Sequence, residues 1–179
     1  MRIRNLNVSE LPLALAVFQG TLPYNKISIS DALGASNRAF TIPITSADQL
    51  AGNALAVGLL GPLAFAFTTT QRPAGYLMNL GPSGFANAAA TAIAPTLIHE
   101  LTHVWQSYHS TFPTSYIFNS LWHQAVSGSN AYAYTPGQPW ERYNVEQQAQ
   151  IVEDWFRGGM RSSSVLFPYI QNKIRAAGP

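Results

Sequence analysis

A His-Glu-Leu-Thr-His motif at residues 99–103 constrains this chain more than any other stretch. On an α-helix, residues at i and i+4 lie on one face, so His99 and His103 can bind one Zn²⁺ ion from the same side. Glu100, next to the first histidine, can reach over the metal without being a ligand. We therefore expect a zinc site at which Glu100 takes a proton from water and passes it to a leaving amine.

The sequence around the motif favours a helix. Pro95 suits the first helical position, where a missing N–H costs nothing. Apolar side chains then recur at helical spacing, which predicts a buried stripe formed by Leu97, Ile98, Leu101, Val104 and Trp105. The competing interpretation is a core helix whose histidines are four residues apart by chance. Taken with this helical context, the motif favours the zinc site.

A catalytic zinc usually has a third protein ligand, and Glu146 is the better candidate. It lies in the first turn of a predicted helix in which Asn144 is the N-cap and Gln147 completes a capping box. Ala149, one turn further, would let a neighbouring helix approach closely, and Gln150 could orient a ligand from behind. The alternative is that Glu146 only complements the helix dipole.

Two further residues compete as the third ligand. His109 extends the motif to the long metzincin spacing, but Gln106 stands where those proteins have a glycine that turns the chain. If the helix continues through Gln106, His109 lies about 240° around it from His103 and cannot join the site. Glu153 shares a face with Glu146 but lies two turns away, so only one of them can reach the metal. Glu141 is a poorer option, in a predicted loop.

A peptide-cleaving site also needs a group that stabilises the oxyanion. Zinc peptidases often use a tyrosine or histidine there, and Tyr143, three residues before Glu146, is our first candidate. The loop-rich stretch before it offers His123, Tyr132 and Tyr134 as alternatives. For each of these residues, the competing interpretation is that it occupies an ordinary surface or core position.

Composition limits the remaining possibilities. The 179 residues suit one domain, so we treat residues 1–179 as a single unit. The net charge is +2, from cations that are scattered singly, so nucleic acid is not an expected partner. The absence of cysteine excludes disulfides and thiolate-bound structural zinc.

Two apolar stretches invite a membrane interpretation. The stretch Leu11–Phe18 follows two arginines but is short for a signal peptide, so we expect a helix or loop of the folded domain. The stretch Ala54–Phe67 is interrupted by Gly58, Gly61 and Pro62, and it is shorter than the ~20 residues that a membrane span requires. We predict a buried core segment there and no stable membrane insertion.

The coarse pattern predicts an α+β fold, in which a small mixed sheet packs on the zinc helix and on a second helix carrying Glu146, and the His-Glu-x-x-His motif indicates that this fold is zincin-like. The predicted strands are Tyr24–Ser30, Ala39–Ile44 and Gly75–Leu80, and Pro43 suggests an edge position for the second. Further helices are predicted after Ser83 and over Ser164–Ala176. Zincins hold an extended substrate along an edge strand, and residues 76–80 are our candidate.

Three segments together resemble a known family: Tyr-Leu-Met-Asn-Leu-Gly-Pro at 76–82, Leu-Ile-His-Glu-Leu-Thr-His-Val-Trp-Gln at 97–106, and Tyr-Asn-Val-Glu-Gln-Gln-Ala-Gln-Ile-Val at 143–152. The chain resembles the zincin-type effector domain at the C-terminus of valine-glycine-repeat spike proteins of the bacterial type VI secretion system. The resemblance covers roughly residues 20–160. It implies a gluzincin-like site with Glu146 as third ligand, and a domain excised from a larger spike protein.

The main hypothesis is therefore a zinc metallopeptidase with His99, His103 and Glu146 on the metal, Glu100 as base and acid, and Tyr143 at the oxyanion. The resemblance implies an antibacterial effector that acts in the periplasm of a rival cell on a peptide or protein of the envelope, with an immunity protein as a further partner. The alternative is a zinc-containing binding module that blocks an envelope target without cleaving it. A purely structural zinc domain is disfavoured because it would not need Glu100.

Overall fold

The computed structural model describes residues 1–34, 37–44, 73–110 and 131–176. Its described strands form one mixed sheet in the order β1-β2-β4-β3. The central pair β2 and β4 is parallel, and the two outer pairings are antiparallel. The strands are β1 (Ile3–Asn5), β2 (Ile27–Ser30), β3 (Phe40–Ile44) and β4 (Gly75–Asn79). The fold is thus α+β with a small mixed sheet, as the sequence pattern predicts.

The position of β4 corrects one prediction. Residues 76–80 were expected at an edge of the sheet, yet β4 lies between β2 and β3 and pairs with both. Among the described strands β3 is the edge strand on that side, as Pro43 indicates. The ladder between β3 and β4 pairs Ile44 with Gly75, and the N–H of Ala74 donates to the carbonyl of Ile44 at 2.7 Å. Strand β1 was not predicted, because three residues are too few to show alternation.

Alternation along the central strands separates the two faces of the sheet. Ile27 and Ile29 of β2 lie on the side of the helices with Tyr76 and Met78 of β4, and all four are buried in the main core. Leu77 points to the opposite face, where it packs in a smaller cluster with Ile42 and Ile44. The sheet therefore presents its larger apolar face to the helices that carry the motif.

The described helices are α1 (Leu11–Phe18), α2 (Gly81–Asn87), α3 (Ala94–His109), α4 (Val145–Arg157) and α5 (Phe167–Tyr169), which continues as a π-helical turn over Ile170–Ile174. Short 3₁₀ turns cover Tyr24–Lys26 and Trp140–Arg142. Helix α2 begins at Gly81, two residues before the predicted Ser83 cap. Gly81 adopts φ +72°, and a Cβ there would lie 2.8 Å from the Leu33 side chain, so glycine is required at this turn.

Helices α3 and α4 pack against each other and form the centre of the main core. Leu97, Ile98, Leu101 and Val104 of α3 are fully buried, as the apolar stripe predicts. Ile151, Val152 and Trp155 of α4 share that core. Because these side chains fix the relative position of the two helices, they also fix the polar groups at the helix–helix contact.

The buried carboxylate of Glu10 connects the N-terminal segment to the rest of the fold. Glu10 has no exposed surface, and its two oxygens accept from Arg4 Nη1 and Nη2 at 2.7 and 2.6 Å. They also accept from the backbone N–H of Asn7 at 2.9 Å and of Ala88 at 3.1 Å. One side chain thus joins β1, the start of α1 and the residue after α2.

Only one of the two apolar stretches noted in the sequence lies within the described residues. Leu11–Phe18 is α1, whose Ala14, Val17 and Phe18 are buried in the main core. Ala54–Phe67 lies outside the described residues. Within the described ranges, no helix has the length and apolar character needed to cross a membrane.

Candidate metal centre

Helices α3 and α4 bring three potential metal ligands together. His99 and His103 of α3 and Glu146 of α4 each offer one ligand atom, and these atoms lie within 4.8 Å of one another. His99 Nε2 is 3.3 Å from Glu146 Oε2, and His103 Nε2 is 3.5 Å from Glu146 Oε1. All three residues are buried. The carboxylate therefore faces the same ring nitrogen, Nε2, of both imidazoles.

Local sequence positions Glu146 at this contact. Asn144 Oδ1 accepts from the N–H of Gln147 at 2.8 Å, and Gln147 Oε1 accepts from the N–H of Asn144 at 3.0 Å. This reciprocal capping box, predicted from the sequence, determines where α4 begins. The first turn of the helix then points the Glu146 side chain toward α3.

The donor set fits a metal ion. His103 Nε2 is buried and has no hydrogen-bond partner among the described residues, since its 3.5 Å contact with Glu146 is too long for one. A buried polar atom without a partner is costly, and a cation at this position would satisfy it. Two imidazoles and one carboxylate form a ligand set found in catalytic zinc sites. The three residues could hold one metal ion.

Each histidine has a partner on its other ring nitrogen. His99 Nδ1 is 2.9 Å from Glu153 Oε2, and Glu153 also pairs with Arg157 Nη2 at 2.7 Å. His103 Nδ1 is 2.8 Å from Gln106 Oε1. Glu153 thus lies behind His99, on the opposite side of the ring from Glu146. Partners of this kind orient the imidazoles of metal sites.

In this cluster, burial and the nearby carboxylates shift the pKa values of the histidines in opposite directions. Burial lowers the pKa of His99, but the carboxylates of Glu146 and Glu153 outweigh it and raise that pKa to about 10. Burial likewise lowers the pKa of His103, and Glu146 raises it above its ordinary value. Burial raises the pKa of Glu146, but the two histidines hold it well below its usual range. The cluster thus keeps Glu146 ionised and stabilises positive charge opposite it.

The edge strand β3 contributes to the surroundings of Glu100. Thr41 Oγ1 lies 2.7 Å from Glu100 Oε2 and can donate to it. Both residues are buried. Burial raises the pKa of the Glu100 carboxyl, the two histidines and Thr41 lower it, and the balance lies above the ordinary value. A carboxyl with a raised pKa beside a metal site can both accept and return a proton near neutral pH.

Tyr132, rather than Tyr143, is the tyrosine beside the His-His-Glu cluster. Its ring centroid lies 5.9 Å from that of His99. Burial and the carboxylates of Glu146 and Glu100 raise its pKa to about 12, and Arg38 hydrogen bonds to its hydroxyl. The hydroxyl is therefore protonated at neutral pH and can donate a hydrogen bond.

The structure does not bring Tyr143 to the cluster. Its hydroxyl donates to the carbonyl of Thr135 at 2.7 Å, accepts from the N–H of Gln138 at 3.1 Å and lies 3.1 Å from the Tyr169 hydroxyl. These bonds fix the loop before α4. Tyr134 donates to Asp154 Oδ2 at 2.8 Å, and His123 lies outside the described residues.

His109 points away from the metal cluster. Helix α3 continues through Gln106 to His109, as the sequence predicts when no glycine is present. The Nε2 atom of His109 lies 2.8 Å from the carbonyl oxygen of Thr21, and its ring packs against those of Trp105 and Tyr108. It is therefore absent from the group of ligand atoms.

Sequence reasoning missed three residues around the site. Gln106 follows His103 by three residues on the same helix face, and this spacing is the signal that indicates the contact. Gln148, not Gln150, joins the polar contacts between α3 and α4, whereas Gln150 donates to Asp154 at 2.8 Å. Thr41 reaches Glu100 across 59 residues of sequence, and no local pattern predicts such a contact.

Fold and site together define an α+β domain with a buried His-His-Glu cluster that could bind a metal ion. No family model matches the sequence. The chain is 38% identical over 63 residues, or 33% of its length, to the type VI secretion system spike protein VgrG2b of Pseudomonas aeruginosa, and this match spans 6% of that protein. The solved effector domain of P. aeruginosa VgrG2b has a similar fold, with a TM-score of 0.53 and 22% identity over 97% of this chain and 82% of that one. The fold likeness therefore extends over nearly the whole chain.

Proposed function

We propose that this chain is a zinc-dependent peptidase that acts as a type VI secretion effector. The observation that carries the proposal is the His99, His103 and Glu146 cluster with Glu100 buried beside it. Glu153 orients His99, whereas the Glu100 carboxylate bonds to Thr41 and neither binds nor orients the metal, so a site that only bound metal would gain nothing from burying it. A base that must lose and regain a proton justifies that cost.

The three ligand residues would hold the ion between α3 and α4. When bound, zinc polarises a substrate carbonyl and lowers the pKa of water. The chain's own contribution is to supply donor atoms in a fixed arrangement, because both helices are held by the main core. Glu153 and Gln106 keep the two imidazole rings oriented from behind.

Glu100 would move the proton in this reaction. Its carboxylate takes a proton from the attacking water and later delivers it to the leaving amine of the cleaved peptide bond. Thr41 holds one carboxylate oxygen at 2.7 Å and leaves the other oxygen for the proton transfer. The raised pKa of the carboxyl makes it a stronger base than an exposed glutamate.

Tyr132 is the residue we propose for the developing oxyanion, in place of Tyr143. Its ring is adjacent to His99, and its hydroxyl keeps its proton at neutral pH. Arg38 next to that hydroxyl adds positive charge on the same side. A donor held in position before the reaction stabilises negative charge without further rearrangement.

Delivery and target are proposed from the comparisons. The chain shares the fold of a VgrG2b effector domain and sequence similarity with that spike protein. We propose that it is carried to a rival bacterium and acts in the periplasm on a peptide or protein of the cell envelope. An immunity protein that binds this domain would protect the producing cell.

A growth experiment with matched variants tests this function. The domain is expressed in Escherichia coli with and without a secretion signal, as wild type and as Glu100→Gln, with zinc content and protein level measured for each. Growth arrest is expected only for exported wild type, while Glu100→Gln keeps its zinc and permits growth. Equal arrest by exported Glu100→Gln would reject catalysis and leave the zinc-containing binding module. Arrest without export would place the target in the cytoplasm.

A further inference from the structure

Two buried glutamines connect His103 to the loop before α4. Gln106 on α3 and Gln148 on α4 are 2% and 5% exposed, so their amide groups must find partners inside the protein. Gln148 Nε2 lies 3.1 Å from the carbonyl oxygen of Trp140 and 3.3 Å from that of Tyr143. Carbonyl oxygens only accept, so this end of the Gln148 amide must be the NH₂ group.

The orientation of Gln148 determines that of Gln106. Gln148 Oε1, the acceptor end, lies 3.0 Å from Gln106 Nε2. The same nitrogen lies 2.9 Å from the carbonyl oxygen of Val145. Both neighbours are acceptors, so Gln106 uses both its N–H groups on α4. Its oxygen then faces His103 Nδ1 at 2.8 Å.

From this chain of contacts we propose that Gln148 and Gln106 form a relay that fixes a proton of His103 on Nδ1 and leaves Nε2, on the side of Glu146, for the metal ion. Gln106 Oε1 can only accept, so Nδ1 must carry a proton to complete the bond. The backbone carbonyls at the start of the relay can only accept hydrogen bonds. The tautomer of His103 is thus set by the loop before α4, and both glutamines are positioning residues. The importance of this tautomer for metal binding rests on the proposed zinc function.

Both histidines hold a proton on Nδ1, but toward different acceptors. His99 Nδ1 faces the Glu153 carboxylate, a charged acceptor, whereas His103 faces a neutral amide. A neutral amide can flip, and a flipped Gln106 would place its NH₂ group against the Nδ1–H of His103. The bonds to Val145 and Gln148 oppose that flip. Loss of outer partners like these typically weakens metal binding by about 10–100-fold.

Nitrogen NMR of ¹⁵N-histidine-labelled protein tests the relay directly. In both the metal-free and the zinc-loaded protein, the Nδ1 of His103 is expected to carry a slowly exchanging proton, and zinc should change the signal of Nε2. His103 with zinc on Nδ1 and the proton on Nε2 would overturn the proposal. If wild type binds no zinc, the proposed function fails, while a metal-free His103 whose Nδ1 carries no proton would still overturn the relay.

Two substitutions separate positioning from packing. Gln106→Met removes the acceptor and should weaken zinc affinity about 10–100-fold and speed exchange of the Nδ1 proton. Gln106→Glu keeps an acceptor toward His103, so its zinc affinity should stay nearer to wild type even if its melting temperature falls. Equal loss of affinity in both variants would show a merely structural role. Gln150→Met, on α4 with Gln148 but bonded to Asp154, is the matched control and should change neither signal nor affinity. If Gln106→Glu does not fold, the wild-type NMR result and Gln148→Met, which should weaken zinc affinity, still decide.

Discussion

Thr41 Oγ1 lies 2.7 Å from Oε2 of Glu100, so the edge strand β3 contacts the proposed general base directly. The hydroxyl stabilises the carboxylate form of Glu100, against the burial that favours the neutral form. One strand residue thereby influences the pH range in which the site can accept a proton.

Thr41→Val should move the acid limb of the pH–rate profile to higher pH. The substitution keeps the shape of the side chain but removes the donor that stabilises the ionised carboxyl, so the pKa of Glu100 should rise further. The measurement is kcat/KM against pH with a peptide substrate selected from a library. Thr41→Ser retains the hydroxyl and should keep the wild-type profile. If the acid limb of the profile is unchanged in Thr41→Val, this hydrogen bond does not influence the catalytic proton transfer.

Glu146→Gln should weaken zinc affinity by more than about 100-fold, because loss of a direct ligand should exceed the usual effect of an outer partner. His109→Gln should leave the affinity unchanged, since its ring nitrogen is occupied at Thr21. Competition with a chromophoric chelator measures both. The opposite ranking would identify His109 as the third ligand and require α3 to end before it.

Local sequence patterns predicted the parts of the site that depend on helix geometry. The i and i+4 spacing predicted that His99 and His103 share a face, and the capping box predicted where α4 begins. The position of Glu146 followed from these two elements. Contacts that depend on strand order were not predictable in this way. Thr41 reaches Glu100 only because β3 pairs with the outer side of β4.

Tyr143 illustrates the limit of reasoning from sequence distance. It precedes Glu146 by three residues, yet Asn144 begins a new helix and the residues before the cap follow a separate path. Its hydroxyl instead bonds the carbonyl of Thr135 in the preceding loop. Tyr132 is further from Glu146 in sequence but nearer to His99 in space.

Tyr132→Phe should lower kcat by about 10²–10³ with little change in KM, as expected on removing a donor to an oxyanion. Tyr143→Phe is the matched control, because it also removes one tyrosine hydroxyl. It should lower the free energy of unfolding by about 1 kcal/mol through the lost loop hydrogen bonds and leave kcat unchanged. Steady-state kinetics and thermal unfolding of both variants make the comparison. A kcat loss confined to Tyr143→Phe would reverse the assignment.

Glu10→Gln should lower the free energy of unfolding at pH 7 by about 3 kcal/mol, since it leaves Arg4 without its buried partner. Burial raises the pKa of Glu10, but hydrogen bonds from Arg4 and from two backbone N–H groups outweigh it and hold the pKa below 4.5. This contribution is therefore present above pH 4.5 and is lost as the pH falls through the lower, folded-state pKa.

Denaturant unfolding of wild type and Glu10→Gln from pH 7 to pH 3 measures this contribution. The difference between the two proteins should shrink toward acid pH. Asp31→Asn removes a carboxylate that pairs with the exposed Arg2 and should have a much smaller effect at every pH. A constant difference across the range would show that the Glu10 effect is not one of charge.

The pairing of Ile44 with Gly75, extended by the 2.7 Å bond from Ala74 to Ile44, brings the two ends of a long intervening sequence side by side. β3 and β4 are antiparallel neighbours that residues 45–74 separate in the sequence. Each doubling of a flexible connection costs only about 0.6 kcal/mol in closure entropy, so the ladder itself sets little limit on that length. A short designed turn could therefore join the two strands in the same register, with Thr41 still facing Glu100.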